Sequence, residues 1–282
     1  MVKVNFMGRL GNNIFQYCLG RILAEQLECE LVSPVIQGFI GTHDEINSKK
    51  GSHDETAIQL TGHVIDLDAV INNCNNKNIV LNGFFQRYEY YKDHKDKIRE
   101  WMRIDDYDVG QTNNDVMVHV RLGDNVTEFY PDRPLTMPID YYDKVLDSVS
   151  FDRLYLCSEP ETIGSKYIRQ FDKYDPIILH GDVLQDFRAI KSFNKIVMSQ
   201  STFAWWAAFL SNASEIFVPV PLCGEASNGR QSCHTLGRLF PNEWSSARPD
   251  IATFVDDEDR YKYVKQYEDR WSFVNLHDIT ER

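Results

Sequence analysis

The chain has 282 residues, of which 43% are hydrophobic and 12% aromatic. That length suits two cores of roughly 100 to 150 residues each, and the composition excludes a disordered or low-complexity protein. Thirty basic against 42 acidic side chains give a formal net charge of −12, which excludes nonspecific nucleic-acid binding. An anionic ligand would have to be held by a few placed arginines and backbone amides.

The first residues, Met1 to Phe6, alternate as a strand and contain no basic region followed by an apolar run, so no signal peptide is expected. No window reaches the ~20 apolar residues of a membrane span. A cytoplasmic protein is therefore expected, with room left only for peripheral membrane association. The six cysteines, at 18, 29, 74, 157, 223 and 233, form no CxxC pair and read as free thiols. The Asn-x-Ser/Thr sequons at Asn125 and Asn212 are then unused.

A glycine turn over Met7 to Asn13 follows the first strand, and Ile14, Phe15, Cys18, Leu19, Ile22, Leu23 and Leu27 recur at helical spacing. Leu31-Val32 and Ile79 to Leu81 read as further strands. Gly38 to Gly62 is charged, glycine-rich and without periodicity, and reads as irregular; Asn72 to Asn78 reads as a polar loop. A charged helix is expected over Asp93 to Met102 and a linker over Asp105 to Asn114.

Beyond the linker the rhythm is regular. Strands are expected at Val116 to Val120, Leu154 to Cys157, Ile177 to Leu179, Ile196 to Met198 and Ile216 to Val218. Helices around Tyr141 to Ser148, Thr162 to Phe171, Val183 to Ser192 and Thr202 to Leu210 alternate with them. That alternation means βαβ units and a parallel, Rossmann-like sheet. The tail from Asp256 has helical spacing at Tyr261, Val264 and Tyr267. The expected domains are thus 1–113, 114–255, and a helical tail over 256–282 that packs back on the first.

Two blocks carry chemistry. Val116 to Asp124 is an apolar strand that ends on His119, Arg121 and Asp124, and ligands of open α/β sheets collect beyond the carboxyl ends of strands. Arg121 presents a fork suited to a pair of phosphate oxygens. His119 either donates to a ligand or caps the sheet edge, and Asp124 either orients Arg121 or closes an Asx turn. In the second block, Ser199 to Leu210, Ser201 and Thr202 fall at a helix start whose free amides make an anion site, whether or not Ser201 also serves as N-cap. Trp205 and Trp206 read as packing. The stretch from Gly8 to Asn13 lacks the third glycine of a dinucleotide fingerprint and the lysine of a P-loop, so alone it reads as a tight turn.

Together the blocks resemble the inverting α-1,2-fucosyltransferase family within the GDP-fucose-dependent fucosyltransferases. Gly8-Arg-Leu-Gly-Asn-Asn-Ile-Phe-Gln16 resembles G-x-L-G-N-Q-x-F-Q, and Gly83-Phe-Phe-Gln86 resembles G-[FY]-[FW]-Q. His119-Val-Arg-Leu-Gly-Asp124 is similar to H-x-R-R-G-D. Asp186 with Met198-Ser-Gln-Ser-Thr-Phe-Ala-Trp-Trp-Ala-Ala208 is similar to D…(M/I)-x-x-S-T-F-x-W-W-x-A.

The resemblance implies a GT-B-type α/β architecture, two Rossmann-like domains facing a cleft, and metal-free transfer of L-fucose from GDP-fucose to an oligosaccharide, at the 2-hydroxyl of a terminal galactose. It implies that Arg121 grips the β-phosphate and that His119 and Asp186 contact the guanosine. Ser201 and Thr202, in the run that continues to Phe203, bind the diphosphate, and Asn12 with Arg9 faces the donor sugar or acceptor. No cofactor beyond the donor substrate is implied. Leu122 stands for the second arginine of H-x-R-R, Asn13 for a glutamine, and Ser158-Glu159-Pro160 for S-D-D. Glu128 is the candidate base for the acceptor hydroxyl, against the alternative of an exposed loop carboxylate or a reaction with no strong base. Two other readings remain: the same fold with another GDP-linked sugar, its selectivity set near Leu122 and Asn13, or a noncatalytic nucleotide- or glycan-binding protein.

Overall fold

The computed structural model describes residues 1–42, 56–62, 65–75, 77–123, 136–220 and 265–275. The chain divides into two compact units, whose described residues run 1–104 and 105–275. Asp105 to Asn114, expected as a linker, thus belongs with the second unit. Each unit is a parallel α/β layer, the fold class expected from the alternating pattern.

The first unit holds a four-stranded sheet in the order β2-β1-β4-β3, with β1 Val2–Val4, β2 Leu31–Val32, β3 Ile58–Gly62 and β4 Ile79–Gly83. All three pairings are parallel. Helix α1, Leu10–Gln26, crosses from β1 to β2, and Gly20 allows it to lie close on the sheet: a Cβ there would come within 2.3 Å of Val4 Cγ2. The short helices α2, Leu67–Asn73, and α3, Lys95–Trp101, complete the unit.

Three expectations are corrected here. Ile58–Gly62, assigned to an irregular stretch, is edge strand β3, whose outer positions are polar as edges tend to be. The start of the Asn72 to Asn78 loop is the end of α2, which Asp66 caps by accepting the Ala69 amide at 2.8 Å. The turn over Met7 to Asn13 is shorter than expected, because α1 already begins at Leu10 and so carries Asn12 and Asn13 on its first turn.

The second unit holds six parallel strands in the order β10-β9-β8-β5-β6-β7. They are β5 Val116–His119, β6 Leu154–Cys157, β7 Ile177–Leu179, β8 Lys195–Val197, β9 Glu215–Val220 and β10 Trp271–Asn275. Counted by appearance this is the dinucleotide-fold order 3-2-1-4-5-6, with its reversal between β5 and β8. Helices α4 Ile139–Ser148, α5 Val183–Ser192 and α6 Thr202–Leu210 provide crossovers. Helix α6 is buried from Ala204 through Leu210, as its unbroken apolar sequence requires.

The tail also contributes a strand that its helical spacing did not suggest. Within 256–282 the described residues are 265–275, where a helical turn at 265–267 leads into β10, parallel to β9 with Trp271 opposite Ile216. Aromatic packing and a helix end hold it there. Trp271 is 1% exposed and stacks near Trp205, itself stacked on Phe209. Arg270 donates to the carbonyls of Phe209, Ser211 and Ala213, orphan acceptors at the C-terminal end of α6. The helix expected over Thr162 to Phe171 is also not α-helical: Gly164 at φ +82° interrupts it, and a 3₁₀ turn, Ile168–Tyr174, follows. The four described cysteines are free thiols, and no described helix is long and apolar enough to cross a membrane.

Candidate functional site

The reversal of strand order between β5 and β8 opens the second sheet at its carboxyl edge. The two strands are paired as far as Val118 opposite Val197. Past that point Val120 donates to Cys157 on β6, and Met198 donates to Phe217 on β9, so the backbones turn away from each other. Two tyrosines of α4 support the opening from beneath. Tyr141 donates to the Met198 carbonyl at 2.8 Å and Tyr142 to the His119 carbonyl at 3.3 Å.

His119 and the start of α6 meet at this gap, with Arg121 close enough to act electrostatically on His119. His119 Nδ1 lies 2.7 Å from Ser199 Oγ, and its ring is 6.0 Å from that of Phe203. Phe203 packs edge-on against Phe187 of α5, ring centroids 5.5 Å apart. Burial, with Arg121 nearby, pushes the His119 imidazole down to about 3, so it is neutral at physiological pH. Ser201 is the N-cap of α6 in extended conformation, its hydroxyl accepting the Ala204 amide. Thr202 and Phe203 form the first turn, where backbone amides without intrahelical partners favour an anion.

Asp186 lies at the same edge, on the first turn of α5, and accepts the Gly181 amide at 3.0 Å. Burial pushes its carboxyl up, an effect the Gly181 amide opposes. Cys157, at the end of β6, faces Asp186, and burial pushes its thiol up. The second unit therefore gathers five expected residues, His119, Asp186, Ser201, Thr202 and Phe203, with Arg121 two residues past the end of β5. Asp124 and Glu128 lie outside the described residues. Trp205 and Trp206 are packing residues, as expected.

Leu122, which stands for the second arginine of H-x-R-R, is a core residue. Its side chain is 4% exposed and packs in the core with Val116, Val118, Tyr141, Tyr142 and Leu156.

Glu159, in the Ser158-Glu159-Pro160 stretch, has a role that its sequence position does not reveal. It reaches from the end of β6, and its Oε2 accepts the Leu122 amide at 3.0 Å. Gly123, φ +21°, makes room for it: a Cβ there would lie 3.0 Å from Glu159 Oε1. The carboxylate thus pins the backbone that carries Arg121. Neither this contact nor those of Ser199, Tyr141 and Tyr142 has a local sequence signal, since the partners are 23 to 80 positions apart.

The first unit brings together its two motifs, also where its strand order reverses, between β1 and β4. Buried Gln16 exchanges hydrogen bonds with the Met7 backbone, at 3.0 and 3.2 Å, and donates to the Gly83 carbonyl at 3.0 Å. Gln86 donates to Asn12 Oδ1 at 2.7 Å. Gly8, φ +77°, lies under Asn12, where a Cβ would come within 2.2 Å of Nδ2. A Cβ on Gly83 would come within 2.3 Å of the Gly62 carbonyl oxygen, and buried Phe85 is held at φ +51°. A left-handed phenylalanine is strained backbone, retained only where its surroundings impose it. Arg9 is the exposed residue ahead of the α1 N-terminus.

An arginine and helix-start amides at the reversal point of a parallel sheet are an arrangement chemically suited to an anionic group. A family model, Glycosyl transferase family 11, matches residues 59–227, more than half of the chain. The protein is a glycosyltransferase. It belongs to glycosyl transferase family 11, the fucosyltransferase family that its motifs resemble. No curated protein matches it by sequence. Among solved structures, a mutant of Arabidopsis thaliana FUT1 in complex with GDP is similar at 11% identity and a TM-score of 0.49, with 76% of this chain and 69% of that one covered.

Proposed function

We propose that the protein transfers L-fucose from GDP-fucose, with inversion and without a metal ion, to a hydroxyl of an oligosaccharide, at the 2-position of a terminal galactose. The observation that carries this reading is the meeting of His119, Ser199 and the N-terminus of α6 at the gap between β5 and β8, with Arg121 just beyond the strand. The family's membership supports the transfer of a sugar, and the four motifs support GDP-fucose as its source.

In the proposed mechanism the departing diphosphate is the group that most needs stabilisation, because it takes up the bonding electrons as the anomeric bond breaks. Arg121 and the amides of Thr202 and Phe203 meet that charge, preorganised by the folded sheet. These groups supply the positive potential that a divalent cation supplies elsewhere, and the protein's net charge of −12 makes each of them individually important. Neutral His119 and half-buried Asp186 recognise the nucleoside. Arg9 and Asn12 recognise the sugar or acceptor, Asn12 being fixed by Gln86. The acceptor proton passes to a carboxylate, for which Glu128 is the proposed base.

Calorimetric titration with GDP, GDP-fucose, GDP-mannose and UDP-galactose in chelator tests the reading. GDP and GDP-fucose should bind in the micromolar range, ahead of the uridine nucleotide. Absence of GDP binding would refute it, and preference for GDP-mannose would replace the sugar.

A further inference from the structure

We infer that Ser199 is a positioning residue that locks His119 in the tautomer bearing its proton on Nε2, so that the ring presents a neutral hydrogen-bond donor to an acceptor oxygen of the nucleotide. This rests on the nucleotide-binding reading of the site. The argument begins with a count of donors and acceptors. Ser199 is 2% exposed, and its hydroxyl proton needs an acceptor. Among the described residues the bonded neighbour of Ser199 Oγ is His119 Nδ1, at 2.7 Å.

A neutral imidazole has one donor and one acceptor nitrogen. If Nδ1 carried the proton and donated to Ser199, the hydroxyl proton would be left buried without a partner, a penalty equivalent to roughly a ten- to hundredfold population bias. If the hydroxyl donates to Nδ1, both requirements are met, and the proton resides on Nε2. Among the described residues no hydrogen bond reaches Nε2, which leaves that N–H for a ligand.

The surroundings reinforce the assignment. Burial and the nearby Arg121 keep the ring uncharged, so the second proton that would make both nitrogens donors is absent. Phe203, tilted at 38° to the imidazole, and the hydrogen bond that the Tyr142 hydroxyl donates to the His119 carbonyl limit movement of the residue. The consequence is division of labour: Arg121 carries the charge that meets phosphate, while His119 supplies a directional donor without adding a buried cation beside it.

The test uses the full chain labelled with ¹⁵N-histidine, with the His119 ring signals assigned by their absence in His119→Gln. Without ligand, Nε2 should resonate as the protonated nitrogen and Nδ1 as the bare one. Ser199→Thr, which keeps the hydroxyl, should preserve that pattern. Ser199→Ala should shift population toward the Nδ1-protonated form and weaken GDP binding about tenfold. A wild-type ring protonated on Nδ1, or on both nitrogens at neutral pH, overturns the inference. So does an Ser199→Ala protein with unchanged tautomer and unchanged GDP affinity. Failure of the wild type to bind GDP instead refutes the proposed function, because the tautomer is read in the ligand-free protein.

Discussion

Replacing Glu159 by alanine removes the acceptor of the Leu122 amide, a 3.0 Å bond to a carboxylate oxygen, beside a side chain that is 4% exposed. An amide left without a partner at such a position costs about 1–3 kcal/mol. At about 2 kcal/mol, the conformation that presents Arg121 to the diphosphate is disfavoured roughly 30-fold. The same perturbation frees Gly123, whose close approach to Glu159 is otherwise fixed. Glu159→Gln keeps an acceptor oxygen but loses the charge, and charge-assisted bonds are about twice as strong as neutral ones. The account therefore predicts a loss of roughly 30-fold in kcat/KM for the donor in Glu159→Ala and a loss of about fivefold or less in Glu159→Gln. Steady-state kinetics at saturating acceptor measures both, with urea unfolding to confirm that each variant is folded. An alanine variant within twofold of wild type, or a glutamine variant as damaged as alanine, would refute the positioning argument.

Arg121→Ala in a folded protein should lose about 3 kcal/mol of transition-state stabilisation, roughly a hundredfold or more in rate, and single-turnover kinetics at wild-type speed would rule out its role. Trp271→Ala should destabilise the second unit by about 3–5 kcal/mol, because the ring is fully buried against Trp205; a denaturation midpoint unchanged from wild type would contradict this. Between pH 6.5 and about 3 the unfolded chain binds a proton that folded His119 refuses. Stability therefore falls as pH falls through that window, by about 1.4 kcal/mol per pH unit from this group. His119→Gln should flatten the pH dependence of urea unfolding between pH 6.5 and 5, and equal slopes in the two proteins would show that the ring titrates normally.

The parts of the fold that were legible in the sequence are those whose pattern is local. β5 and α6 are continuous apolar runs ended by polar residues, and α5 carries an Asp182 capping box with Gln185. What escaped was decided by tertiary pairing. Ile58–Gly62 is too polar to look like a strand until β4 lies beside it. Trp271–Asn275 follows a helical-looking tail, and its partner β9 is some 55 residues earlier in register, from Trp271 to Ile216. Gly164 broke a helix that spacing alone favoured.

The candidate site divides the same way. His119, Arg121, Ser201 and Thr202 announce themselves because they follow strand ends or start a helix. Ser199 and Glu159 do not, because their importance lies in partners across the sheet, on β5 and on the backbone after it. The glycines are a middle case. Gly8 and Gly83 were visible as motif letters, but the reasons for them, the Asn12 side chain and the Gly62 carbonyl, come from packing.

The central claim is that this site transfers fucose from GDP-fucose. The most direct measurement incubates the protein with GDP-fucose and galactose-terminated oligosaccharides in excess chelator and weighs the products by mass spectrometry. The account predicts a product heavier by one deoxyhexose residue, with GDP released in equal amount and the yield unaffected by chelator. A protein that binds GDP yet releases none and adds no mass to any acceptor would contradict the transferase, and activity that returns only with an added divalent ion would contradict the metal-free leaving-group account.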